Sequence, residues 1–271
     1  MNKFFNIKRF GRYMVYDLNN AKNKYWLSLI LVGLTPVITF VFYQMIFMLI
    51  EGSWSPDNGM IAPLAAFTTL VVVTFTFPSK VYGGLTDKRI GSDWLMIPAS
   101  TFEKWLSMII VTCVVLPVCV AVLFFGSDAL LSVIFPHYYG DSLIHNMNLF
   151  HDEFMRQTED VLDINFTGVG WLNWCENILI FTLGAVVFKK AKPAKTILAY
   201  VLLSMLVGNI AMLVFAGTPR SMMEMFDRDG FNAQSLESFI NGLNMFVSLT
   251  YTLIFTIVLG GLYYRLRTIK L

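Results

Sequence analysis

Charge is scarce in this chain: 14% of its 271 residues are Asp, Glu, Lys or Arg, while 56% are hydrophobic. A soluble domain carries roughly a quarter charged residues, so an ordinary soluble globule is excluded. Disorder is excluded too, because a disordered chain needs low hydrophobicity and high net charge. Cysteine is almost missing. Cys113, Cys119 and Cys175 lie in or beside apolar stretches with no even count and no metal-type spacing, so they read as packing residues. No Gly-x-x-x-x-Gly-Lys-[Ser/Thr] phosphate loop exists, which leaves the chain without an ATPase site of its own. The first 24 residues are mixed polar, aromatic and basic, without the apolar core and small-residue cleavage site of a secretory signal.

What is present is a series of apolar runs. They predict an all-α fold, a polytopic membrane protein forming one transmembrane domain over residues 1–271. Six spans are expected at 25–50, 60–78, 105–126, 171–188, 196–217 and 242–264, near the ~20 residues a helix needs to cross a bilayer. The fourth is a full span only if it begins near Trp171 and admits Glu176 close to its outer end, where a carboxylate costs far less than at the centre. No ionisable group is expected in the middle of a span. Gln44, Asn209 and Asn244 are the polar exceptions and read first as interhelical hydrogen-bonding residues.

Six spans place both termini on one side. Of the 20 Lys and Arg, 17 flank that side, including Lys3, Lys8, Arg9, Arg12, Lys22 and Lys24 at the start and Arg265, Arg267 and Lys270 at the end. Only four acids share it: Asp17, Asp87, Asp93 and Glu103. The formal +2 is thus a cancellation of +13 on one side against −11 on the other. The excess of Lys and Arg makes that side cytoplasmic. All six Trp fall at span ends or in loops, as interfacial anchors do.

The N-terminal stretch 1–24 places Ile7, Phe10, Met14 and Leu18 at helical spacing, with Lys8, Arg9 and Arg12 grouped away from them. It reads as an amphipathic helix in the inner interface whose basic residues meet anionic headgroups of the lipid bilayer. The plainer alternative is a basic flank that orients the first span. The cytoplasmic segment 79–104 clusters charge at Asp87, Lys88 and Arg89, follows it with the apolar run Trp94 to Ile97, and stops at Pro98. Ser100 and Glu103 then form a capping-box pattern. A short helix, a break and a capped restart are expected, suited to passing a push from a cytoplasmic partner into a membrane helix, or else simply a loop with one capped helix.

Asp87-Lys88-Arg89-Ile90-Gly91, then Trp94-Leu95-Met96-Ile97-Pro98-Ala99-Ser100 and Glu103-Lys104, after an amphipathic N-terminus and two spans, resembles the permease subunits of ABC type-2 transporters. In detail it looks most like the divergent permease-like proteins of Bacteroidota. The resemblance covers residues 1–126 best. It implies a permease subunit in the bacterial inner membrane, not itself an enzyme, that dimerises with a like or unlike second permease subunit. Asp87, Lys88, Arg89, Gly91, Trp94, Leu95, Pro98 and Glu103 would then be the coupling element against a separate cytoplasmic ATPase, which would hold the ATP and Mg. Two features differ from that family: a 44-residue external loop, 127–170, in place of a short link, and charged residues in 218–241, where a re-entrant hairpin is usual.

The external loop holds all three His, at 137, 145 and 151, beside Asp141, Asp152 and Glu153. The spacing fits no compact metal motif, and no metal site is assigned. Its stretch 145–162 reads better as an external amphipathic helix. No nucleic-acid partner is indicated. A non-transporting membrane scaffold or sensor, with the acidic loop as its binding part, is the rival reading. An intramembrane enzyme is third, since no nucleophile or acid–base cluster stands at a span edge.

Overall fold

The computed structural model describes residues 5–56, 59–145, 166–215 and 233–269. Among them no strand occurs. The helices are α1 (Ile7–Gly33), α2 (Thr35–Glu51), α3 (Ile61–Val81), α4 (Lys88–Met96), α5 (Thr101–Ile110), α6 (Leu116–Ile134), α7 (Pro136–Tyr139), α8 (Phe166–Val187), α9 (Lys192–Phe215) and α10 (Ala233–Thr268). Four stretches are long and apolar enough to cross a membrane: Ile61–Val81, Thr101–Ile134, Lys192–Ile210 and Ser248–Thr268. The bent pair α1–α2 makes a fifth, and Leu172–Val187 is a shorter apolar helix. The chain is a bundle of membrane-type helices. Its helices run past the expected span bounds in several places.

No break separates an N-terminal helix from a first span. α1 runs through residue 24 to Gly33 and then bends by 44° into α2. Proline explains the bend. Pro36 has no N–H to offer Val32 O, four residues back, and its ring crowds that carbonyl. The Thr35 hydroxyl donates to Val32 O instead, at 2.5 Å.

The third predicted span, 105–126, is the middle of a longer rod. α5, a π-helical turn (Val111–Val115) and α6 follow without interruption. Pro117 again has a physical role: it cannot donate to Cys113 O, so the ladder loosens into a π turn just before it. The freed Cys113 carbonyl receives the Cys175 thiol of α8 at 3.9 Å. Eight residues assigned to the external loop, 127–134, are therefore helical, and α7 follows. At the other end of the sequence, α10 begins at Ala233 and not at 242.

α8 is central. Cys175, Ile178, Leu179, Phe181, Thr182, Ala185 and Val186 are buried along one broad face, the stripe by which a helix packs into a bundle. It touches α3, α9, α10 and both short turns. A Cβ added to Gly184 would overlap Thr196, so glycine lets α8 and α9 approach closely. Gly33 does the same for α1 against Leu123 of α6.

One large apolar core joins α1, α3, α4, α5, α8 and α10 through Tyr25, Phe77, Trp94, Met108, Leu179 and Leu262. Its basic end is tied by cations to carbonyls at helix ends. Lys24 donates to Val81 O at 3.3 Å, Arg265 to Val186 O at 3.4 Å, and Lys192 to Gly83 O. Val81 and Val186 stand at the C-terminal ends of α3 and α8, where the helix dipole favours positive charge, and Gly83 opens the turn that follows α3. A second, smaller core at the opposite end packs Phe40, Ile61, Leu131 and Tyr139.

Candidate functional site

The site expected in 79–104 is built on the basic end of the bundle. Gly83–Thr86 forms a 3-10 turn, and Asp87 is extended before α4. The Asp87 carbonyl accepts the Gly91 amide at 2.8 Å, while its exposed carboxylate makes no capping bond. Lys88 and Arg89 belong to α4, but their side chains lie outside the described part. Gly91 is buried.

Trp94 is the root of α4. It is 8% exposed. Its indole N–H donates to the Tyr13 hydroxyl of α1 at 3.0 Å. Lys104 of α5 donates to the Trp94 carbonyl at 2.8 Å and stands 4.3 Å from the ring centroid, a cation–π contact. The next residues turn outward: Leu95 is 44% and Met96 80% exposed, and Pro98 is exposed as well. α4 thus has an anchored root and an apolar, uncovered tip.

Glu103 faces inward. It is fully buried, and it closes the capping box with Ser100: the Glu103 amide donates to Ser100 Oγ at 3.2 Å, and the Ser100 amide to Glu103 Oε2 at 2.8 Å. The same carboxylate accepts the Asn6 amide at 2.8 Å and two bonds from Arg9, at 2.7 and 2.8 Å. Asn6 is itself the cap of α1, its side-chain oxygen accepting the Lys8 amide at 3.0 Å. One carboxylate therefore serves two helix N-termini, where negative charge is favoured twice over. Enclosed in this way, Glu103 positions α1 and α5 and presents nothing to a partner. Arg9 is engaged by Glu103, which leaves Lys8 and Arg12 as the exposed basic residues of that turn.

The face of α1 that packs on the bundle is not the apolar stripe of Ile7, Phe10, Met14 and Leu18. Ile7 is 72% exposed, and the inward stripe is Tyr13, Asp17, Ala21 and Tyr25. Asp17 is 3% exposed and accepts Ser107 Oγ–H at 2.8 Å and Tyr82 O–H at 3.3 Å. Burial, and then the nearby Asp17 charge, hold the Tyr82 phenol well above its usual range, so it remains a donor. The signal in the sequence was the four-residue spacing of Tyr13, Asp17, Ala21 and Tyr25.

At the acidic end, Asp128 is fully buried and fixes the start of the long loop. Tyr139 donates to Asp128 Oδ1 at 2.5 Å and the Leu143 amide to Oδ2 at 2.7 Å. Burial, then the bond and charge of Asp128, raise the Tyr139 phenol above its usual range. Gln44 clasps the Ser55 backbone, exchanging bonds at 2.9 and 3.0 Å, and its amide also donates to Tyr138 O of α7 at 3.5 Å, an interhelical bond. Asn209 bonds within its own helix, to Met205 O at 2.7 Å. The Asn244 side chain, His151, Asp152, Glu153 and most of the expected helix 145–162 lie outside the described residues. Among the described residues, no three His, Cys, Asp or Glu converge on a metal position.

Glu176, the fifth residue of the apolar helix Leu172–Val187, lies near the first end of that helix, as expected. It is 6% exposed and lines a cleft of about 330 Å³ between α8, α9 and α10, with Asn177, Tyr200, Ser204, Tyr251 and Ile254. Ser204 and Ile254 lie within the uncharged runs of their helices, each more than about 10 Å from either end at 1.5 Å per residue. Comparison of the chain with family models, with curated proteins and with solved structures gives no match.

Proposed function

We propose that the chain is a six-span permease subunit of an ABC type-2 transporter, dimeric in the bacterial inner membrane with both termini cytoplasmic, and coupled to a separate ATPase that holds ATP and Mg. The observation that carries this reading is the two-sided α4. Its root, Trp94, is bonded to α1 through Tyr13 and to α5 through Lys104. Its tip, Leu95 and Met96, is uncovered. A force on the tip enters two long helices through one side chain, because a packed core transmits displacement and does not absorb it. Asp93 and Pro98 near that tip are exposed, as is Asp87 at the other end of α4.

The test is purification from the native membrane in mild detergent, followed by identification of what accompanies the chain. A nucleotide-binding subunit is expected, and replacing Leu95 and Met96 with Asp should remove it while the chain stays folded. Absence of any such subunit, with no effect of those replacements, sinks the proposal.

The scaffold or sensor reading is favoured by one observation at the other end. The buried Asp128, bonded to Tyr139 and Leu143, gives the acidic loop a folded base. An envelope partner recovered on residues 135–170 in place of an ATPase would support it.

A further inference from the structure

The cleft between α8, α9 and α10 contains a carboxylate that no described residue neutralises. Glu176 makes no hydrogen bond or ion pair among the described residues. The nearest amide in sequence is already committed: Asn177 Nδ2 donates to Asn173 O at 2.8 Å and to Asn173 Oδ1 at 2.7 Å, so it offers Glu176 nothing. Leaving an isolated carboxylate buried is expensive unless a cation or a donor arrives.

What else faces the cleft has the same electrical character. The Asn177 amide oxygen is an acceptor. Tyr200 and Tyr251 supply aromatic rings whose faces are negative. Ile180, Leu203 and Ile254 supply an apolar wall. Among the described residues, no Lys or Arg lines it. A volume of about 330 Å³ falls at the lower end of the range for small-molecule sites.

We propose that this cleft binds an organic cation, with an ammonium-type head against Glu176 and the rings of Tyr200 and Tyr251, and an apolar body along Ile180 and Ile254. Ring faces and a desolvated carboxylate recognise such a head together, and discrimination against a neutral body of the same shape follows. Calling the ligand a transported substrate rests on the permease reading; the binding does not.

The experiment uses the full chain in phosphatidylcholine nanodiscs, with benzyltrimethylammonium and its neutral isostere neopentylbenzene as probes. The cation should bind saturably and at least about tenfold tighter than the isostere, a difference of about 1.4 kcal/mol. Glu176→Gln should remove that preference and leave the isostere unchanged. Gly208→Leu should weaken both probes, because Gly208 lines the cleft and a Cβ there meets nothing within 4 Å. Equal affinity of the two probes for the wild-type chain overturns the proposal without recourse to any variant. So does an unchanged cation affinity in a Glu176→Gln protein that elutes and melts like wild type. Cation binding in a preparation without an ATPase keeps the site and removes only the permease reading; an ATPase with no cation binding does the reverse.

Discussion

Arg9 and Glu103, 94 residues apart, form a two-point ion pair that joins the first turn of α1 to the first turn of α5. The geometry is the planar fork of a guanidinium on a carboxylate, which a lysine at residue 9 would not reproduce. It holds the N-terminal helix to the bundle before either helix reaches its apolar part.

Breaking this junction should be graded. Ser100→Ala removes one cap bond and should cost about 1 kcal/mol. Glu103→Ala should cost clearly more, because the Asn6, Ser100 and Arg9 donors lose their acceptor at once. Thermal unfolding of the detergent-solubilised protein, followed by circular dichroism, checks the order; a Ser100→Ala loss equal to that of Glu103→Ala would contradict the shared carboxylate.

Trp94 and its neighbours should separate stability from partner binding. Trp94→Ala empties a buried site and should cost about 3 to 5 kcal/mol. Leu95→Ala and Met96→Ala should change stability by less than about 0.5 kcal/mol, as exposed positions do, and yet weaken ATPase capture. Parallel melting curves and pull-down yields test the split.

Gly184→Val forces a branched side chain into Thr196, which is itself buried. Overpacking of this kind costs about 1 to 3 kcal/mol. Limited proteolysis of the link between α8 and α9 should accelerate, and Thr196→Ala in the same chain should restore part of the loss.

Tyr139→Phe takes one donor from the buried Asp128 and leaves the Leu143 amide in place. A cost of about 1 to 3 kcal/mol is expected for the group left underbonded. Hydrogen exchange should rise over 135–145 and stay unchanged at α4; a uniform rise would mean that the two ends of the bundle are not independent.

The helical membrane class was legible in the chain because it follows from composition and run length, which need no partner. The break before α5 was legible for a similar reason: Ser100 and Glu103 are three residues apart, and a cap is a local bond. Helix ends at 33, 134 and 233 were not, since a ladder continues past charged residues whenever tertiary contacts satisfy them, as Asp17 and Asp128 show. Periodicity showed the apolar stripe of α1 but not the face that packs on the bundle, because it scores side chains by polarity, while Asp17 is held inward by Ser107 and Tyr82 elsewhere in the chain. The burial of Glu176 was not legible for the same reason: enclosure of a side chain on α8 depends on which neighbours surround it.

Lys24, Lys192 and Arg265 carry two instructions at once. Counted along the sequence, they belong to the charge asymmetry that would decide which way the chain enters a membrane. Seen at their carbonyls, they are bolts between neighbouring helices at one end of the bundle. A chain redesigned to insert upside down by moving these charges would therefore lose its fastenings in the same step, so insertion and assembly are not separately adjustable in this protein.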